Sequence, residues 1–213
     1  VNKGIEITFL SDIPSEGSGL GSSSSVTVGV LNALHAYKGE YISSKQLAEE
    51  ACKIEVDILK KPIGYQDQYA VAFGGLNFIK FGKEIKVTPL ISNNIEHSLL
   101  LIYTDKTRSA DKILSKMKLN KKILDRNKEL AYMGATLIND YDDSLGILLD
   151  EYWELKKKLN NAVSDNNLDK IYKEAISVGA IGGKIVGAGG GGFFLFVVPI
   201  EKRDIVKRIL RLK

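Results

Sequence analysis

Cys52 is the single cysteine of the chain, so no internal disulfide can staple the fold, and the thiol suits a reducing cytoplasm. No apolar run is as long as a membrane span, and no signal peptide opens the sequence, which predicts neither a spanning helix nor secretion. A strong charge of either sign is also missing. Thirty Lys and Arg against 26 Asp and Glu leave a net charge of +4, part of it in the tail 202–213, where a solvated helix face accounts for it better than nucleic acid does. An initiator Met is absent before Val1, and the last apolar run stops without a cap, so the chain reads as a fragment.

What remains is an ordinary globular composition, 44% apolar and 26% charged over 213 residues, enough for one sizeable core or two small lobes. The stretch that organises the rest is 11–25, where Gly17, Gly19 and Gly21 alternate ahead of Ser22, Ser23, Ser24 and Ser25. Alternate glycines let the backbone turn tightly and approach a ligand, and the helix that follows opens with amides lacking intrahelical partners. Such a loop is an anion site, most naturally for phosphate. Its serines can cap the helix, donate to phosphate oxygens or sit on magnesium. Residues 5–10 alternate like a strand and 26–37 repeat at helical spacing, with Val26, Val30, Leu34 and Tyr37 on one face, so the loop is expected to join strand to helix. A Gly/Ser turn with a helix cap is the plainer alternative. The loop lacks the Gly-Lys-Ser/Thr of a Walker A sequence and the third glycine of a dinucleotide fingerprint.

A second helix is expected from Ser43 or Ser44 to Leu59, with Leu47, Ala51, Ile54 and Ile58 as its buried stripe. Glu55 falls on that stripe, where a carboxylate needs a cation, donor or metal to meet it. It is read either as a structural salt bridge or as a magnesium ligand opposite Ser23. Asp67 lies between Gly64 and an apolar, aromatic run, an odd place for a solvent-facing carboxylate. It is either a turn former or a base that accepts a substrate hydroxyl proton during phosphoryl transfer. His35, beside the first helix's apolar face, is read as packing or surface and is assigned no function.

Strands are expected over 78–87, 98–104 and 193–198, and helices over 109–117, 121–140, 144–159, 168–178 and 201–213. Arg108 stands at a strand-to-helix junction, either as a phosphate clamp or as a surface arginine. Leu145, Leu148, Leu149, Tyr152, Trp153 and Leu155 make a broad apolar face with lysines opposite. The run 187–192 formally matches G-x-G-x-x-G, but a helix is expected before it and a strand after, the reverse of a dinucleotide fold. Those glycines suit close packing against another backbone or a bound phosphate.

Three stretches together resemble the GHMP kinases. Pro14-x-x-x-x-Gly19-Leu20-Gly21-Ser22-Ser23-Ser24 is similar to the second motif of that family, Asp67 followed seven residues later by Gly74-Gly75 to its catalytic segment, and Gly187-Ala188-Gly189-Gly190-Gly191-Gly192-Phe193 to its third motif. The stretch 64–77, the Thr107-Arg108 pair and the approach Gly182-Gly183-Lys184 are similar, more narrowly, to heptose-7-phosphate kinases and next to fucokinases. The resemblance implies an α+β, two-lobed fold: an N-terminal lobe like domain 2 of ribosomal protein S5 over 1–90, truncated and lacking the first motif, and a ferredoxin-like C-terminal lobe over 91–213. It implies ATP and Mg2+ as cofactors, with Gly17, Gly19, Leu20, Gly21, Ser22, Ser23 and Ser24 on the nucleotide phosphates and Ser23 and Glu55 on the metal. Asp67 is then the base, and Arg108, Gly189, Gly190 and Gly191 bind substrate. The expected reaction is phosphorylation of the anomeric hydroxyl of D-glycero-D-manno-heptose 7-phosphate, with fucose or another sugar as the alternative acceptor. The expected partners are ATP and a phosphorylated sugar, with no nucleic acid and no membrane; a homodimer stays open. Without the first motif the isolated chain is expected to be weakly active or inactive. From another class, a non-catalytic nucleic-acid or partner-binding module stays as the rival, predicting salt-dependent RNA affinity without magnesium-ATP binding.

Overall fold

A computed structural model describes residues 4–13, 17–92, 94–138 and 143–211. The chain divides into two compact units, one of residues 1–16 and 21–89 and the other of 17–20 and 90–213.

In the first unit, α1 (Ser22–Lys38) begins after Gly21, whose left-handed backbone (φ 69°) turns the chain into the helix, and ends at Gly39, also left-handed. The helix α2 (Ser44–Cys52) is capped by Ser43, whose hydroxyl accepts from the Gln46 amide at 3.2 Å. It runs on into a π-helical turn over Lys53–Ile58. Next come α3 (Gln66–Phe73) and an antiparallel hairpin of β1 (Asn77–Lys80) and β2 (Lys86–Pro89). Val28, Leu47 and Ala51 form one small core, and Ala48, Cys52 and Tyr69 a second one under the hairpin.

Three expectations change here. Residues 5–10 form no strand: they pair with no described strand, and Leu10 is 95% exposed. The continuous strand expected over 78–87 is a hairpin, broken at Phe81-Gly82-Lys83. In α1, Val26 and Tyr37 are exposed while Ser24 and Val28 are buried. The packed face therefore runs Ser24, Val28, Leu31, because serine hydroxyls serve a buried carboxylate and draw that side of the helix inward. His35 follows on this face, with ring nitrogens 2.8 Å from Glu40 and 2.9 Å from Glu50.

The second unit is built on a three-stranded antiparallel sheet in the order β3 (Leu99–Tyr103), β5 (Phe193–Val197), β4 (Gly182–Ile185). Around it lie α4 (Ala110–Leu114), α5 (Lys121–Leu137), α6 (Ser144–Lys157), α7 (Asn166–Ser177) and α8 (Arg203–Arg211). Its core is one aromatic cluster in which Trp153, Tyr172, Phe194 and Phe196 meet with ring centroids 5.1–6.5 Å apart. The strand β4 was not expected from its glycines. Gly182 and Gly183 are strand residues because α6 and β5 lie so close that a Cβ at Gly182 would meet the Gly146 carbonyl oxygen at 2.1 Å. A strand therefore does precede Gly187; the dinucleotide reading still fails, since an antiparallel strand follows where a helix is required. No described helix is long and apolar enough to cross a membrane.

Candidate functional site

Glu55 is the most heavily coordinated side chain of the first unit. It is completely buried, and its two oxygens receive four donors. Ser23 Oγ donates to Oε1 at 2.8 Å and Ser24 Oγ to Oε2 at 2.7 Å, while Gln68 Nε2 donates to Oε2 and Lys61 Nζ to Oε1 at 3.3 Å. Lys61 Nζ also donates to Ser23 Oγ at 2.7 Å. Burial by itself pushes the Glu55 carboxyl upward; the hydroxyls of Ser24 and Ser23, the Gln68 amide and the Lys61 charge outweigh it and hold the group below the usual carboxylate range. The carboxylate is thus kept ionised in a dry place beside the start of α1.

The π-helical turn leaves Glu55 on the buried side and takes Ile58 off it. Bonding from i to i+5 widens the turn by one residue, so a periodicity of 3.6 fails from Lys53 onward. Ile58, expected on the buried stripe, is 63% exposed, and Glu55 takes the inward position by itself.

Asp67 lies in the first turn of α3, exposed, with its Cγ 3.6 Å from where a Cβ on Gly21 would stand. The next residue, Gln68, is fully buried on Glu55. The two carboxylates are therefore one residue apart in mechanical terms: Asp67 faces outward beside Gly21, and its neighbour grips Glu55. The cap position of α1 is held by Gly21, with no side-chain cap bond from it. Ser25 Oγ turns back to the Gly21 carbonyl at 3.0 Å, and the first turn contains no acidic residue. Its amides present the positive end of the helix unshielded by a nearby carboxylate of its own. Ser22 completes this turn, partly exposed. Pro14, with which the resemblance to the second motif began, lies outside the described residues.

The other residues named from the sequence lie in the second unit. Gly17, Gly19 and Leu20 belong to it by packing: a Cβ on Gly19 would stand 2.6 Å from the Val186 carbonyl oxygen, and the Leu20 amide donates to Ser18 Oγ at 3.2 Å. Arg108 Nε donates to the Gly189 carbonyl at 2.5 Å, and one of its terminal nitrogens lies 2.9 Å from the Cβ position of Gly187. Gly189, Gly190 and Gly191 are buried against protein, next to Val163, Ile113 with Ala162, and Lys106 respectively. The Gly190 amide is taken by the Val163 carbonyl at 2.6 Å. The glycine run packs closely against backbone and side chains of its own unit.

Among the described residues no group of three or more His, Cys, Asp or Glu could hold a metal ion. Ser23 and Glu55 are instead an oxygen pair, and the ammonium of Lys61 already lies against both. Lys61 and Gln68 were missed by sequence reasoning. The signal available was their closeness in the chain to Asp67; their contact with Glu55 was not legible.

Comparison with known proteins agrees with the motifs. Residues 1–75 match the profile of the GHMP kinases N terminal domain and residues 135–212 that of the GHMP kinases C terminal, together more than half of the chain. The chain belongs to the GHMP kinase family. A Campylobacter jejuni relative, D-glycero-alpha-D-manno-heptose 7-phosphate kinase, is 37% identical over 93% of this chain, which spans 63% of that protein's length. The structure of a D-glycero-D-manno-heptose 1-phosphate kinase from Bacteroides thetaiotaomicron is 29% identical, with a TM-score of 0.64 over 92% of this chain and 58% of that one. Streptococcus pneumoniae phosphomevalonate kinase, at 14% identity, shares the fold with a TM-score of 0.80 over 92% of this chain and 66% of its own. The fold is thus that of the GHMP kinases, with N- and C-terminal domains of mixed helix and sheet.

Proposed function

We propose that this protein is an ATP-dependent sugar kinase that phosphorylates the anomeric hydroxyl of a heptose 7-phosphate. The single observation that carries the reading is the Ser23–Glu55–Lys61 cluster at the N-terminus of α1, with Asp67 beside Gly21. The amides of the first turn of α1 suit phosphoryl oxygens, since that turn carries no acidic residue of its own. Ser23 and Glu55 would hold magnesium, whose hard-oxygen preference and tolerance of few protein ligands match this pair; when bound, it supplies neutralisation of phosphate charge. The cation position is one that Lys61 already fills with an ammonium.

Asp67 is the base in this reading. As the sugar hydroxyl oxygen bonds to the γ-phosphorus and the bond to the β–γ bridging oxygen breaks, the hydroxyl proton passes to the Asp67 carboxylate and ADP leaves. Gln68, tied to buried Glu55, fixes the α3 turn and hence where Asp67 stands. Heptose as the acceptor is supported by the 37% identical Campylobacter relative. Arg108 and the glycines 189–191, packed together in their own unit, are the candidate substrate contacts.

The deciding experiment is ADP release by the full-length protein with magnesium-ATP and heptose 7-phosphate, fucose or no sugar, repeated with Asp67→Asn. Heptose-dependent release that drops at least a hundredfold in the variant agrees with both the acceptor and the base. Release with fucose alone keeps the chemistry and changes the acceptor. Absence of sugar-dependent release would sink the reading.

A further inference from the structure

The face of α6 expected to be purely apolar carries a buried lysine. Lys156 is only 4% exposed, and its ammonium donates to the Gly187 carbonyl. Lys184, on β4, reaches the same aromatic ring as Lys156: its nitrogen stands 4.3 Å from the centre of the Tyr152 ring, and that of Lys156 stands 5.9 Å from it. Arg108 closes the group from the segment before α4, with a terminal nitrogen 2.9 Å from the Cβ position of Gly187. Lys156 and Arg108 meet at the Gly187 turn, and Lys184 shares the Tyr152 ring with Lys156 and repels it.

No carboxylate among the described residues is paired with either lysine. The ion pairs of the second unit are made by other residues, such as Lys106 with Asp165 and Arg126 with Glu151. Asp150, on the same helix as Lys156, accepts from the Tyr172 hydroxyl at 2.5 Å. Lys184 has no hydrogen-bond acceptor at all among the described residues; its ring contact is its sole electrostatic partner. The consequence appears in both groups. Burial, then repulsion from Lys184 and Arg108, brings Lys156 down to about 7, and burial brings Lys184 down to about 8.

We propose that Lys156, Lys184 and Arg108 form an oxyanion site at the Gly187 turn that takes a phosphate monoester or phosphoryl group. A purely structural role explains only part of the arrangement. One donor suffices to pin the Gly187 carbonyl, and a methionine-like side chain would fill the space without desolvating a charge. A second lysine adds repulsion, and among the described residues no carboxylate is paired with either of the two. A dianion offsets it: each ammonium gains an oxygen acceptor, the guanidinium offers a planar donor pair, and the repulsion becomes mutual attraction to one centre. The site rests on the kinase reading only for the source of the phosphate, which is either the sugar phosphate or the nucleotide; the charge argument is independent of it.

The test uses full-length protein with Lys184→Met, Lys184→Arg and Lys156→Met, the partly exposed Lys184 being the substitution least exposed to misfolding. Inorganic phosphate is titrated and followed by phosphorus NMR line broadening, and KM and kcat are measured for ATP and heptose 7-phosphate separately. Phosphate broadening that Lys184→Met and Lys156→Met abolish and Lys184→Arg keeps is the expected result. A tenfold or larger rise in KM for heptose 7-phosphate, with kcat within about twofold, assigns the sugar phosphate; the same rise for ATP assigns the nucleotide. Broadening equal in wild type and Lys184→Met, or absent from wild type, overturns the site. Should wild type bind phosphate yet transfer none to any sugar, the kinase reading fails and the oxyanion site stands.

Discussion

Glu55 and Lys156 are both buried and both lowered on folding, so each makes stability rise with pH, Glu55 on the acid side and Lys156 on the alkaline side. The folded state lowers the pKa of Glu55, so its contribution to stability is present above the unfolded value, about 4.3, and is lost as pH falls through the folded value. Glu55→Gln is expected to lose about 1–3 kcal/mol at pH 7, because its four donors then face an amide with a single acceptor oxygen, and to flatten the acid limb of the urea midpoint plotted against pH. Lys156 is also lowered, but a lysine pays in the charged form. Below about 7 the folded protein holds an ammonium that burial disfavours; as pH rises from about 7 towards the unfolded value near 10.4, the unfolded chain binds more protons and stability increases. Lys156→Met should match or exceed wild type at pH 7 and lose that rise, read by denaturant unfolding at pH 6.5 and 9. A protein that gains stability when a buried charge is removed is one that keeps the charge for a ligand.

Among the elements, the π-helical turn after α2 decides most. Its widened register keeps Glu55 inward, as 3.6-residue spacing also had it, but turns Ile58 outward, against that pattern. Ile58→Lys is therefore expected within about 0.5 kcal/mol of wild type, whereas an uninterrupted α-helix would place a buried charge there and lose several times more. Equilibrium urea unfolding distinguishes the two. The glycine run 187–192 acts at the same scale. Gly192 has φ 88° and would put a Cβ 2.2 Å from the Ser18 carbonyl oxygen, so this turn and the residues 17–20 can lie against each other only without side chains.

For the molecule as a whole, the kinase reading predicts stabilisation by mass action. Magnesium-ATP at a hundred times its Kd should add about 2.7 kcal/mol to unfolding, seen as a rise in Tm. In a Ser23→Ala, Glu55→Gln double variant the increment from ATP should no longer depend on magnesium. A magnesium-dependent rise that persists in the double variant would move the metal site elsewhere.

Family membership was legible in the sequence because it rests on short local patterns: alternating glycines before serines, Asp67 seven residues before Gly74, and the run 187–192. Most helices were legible too, since their apolar spacing is also local. The sequence likewise marked Glu55 as a carboxylate needing partners. Which partners it has was decided only in three dimensions, because Ser23 and Ser24 reach it across more than thirty residues and Gln68 across thirteen. The same holds for Lys156, which local pattern assigned to a solvated face and which tertiary packing buried on Gly187, 31 residues away. Spacing along a chain fixes where a helix turns its side chains relative to one another; it does not say which neighbour from a distant element will arrive to desolvate a charge or to satisfy it.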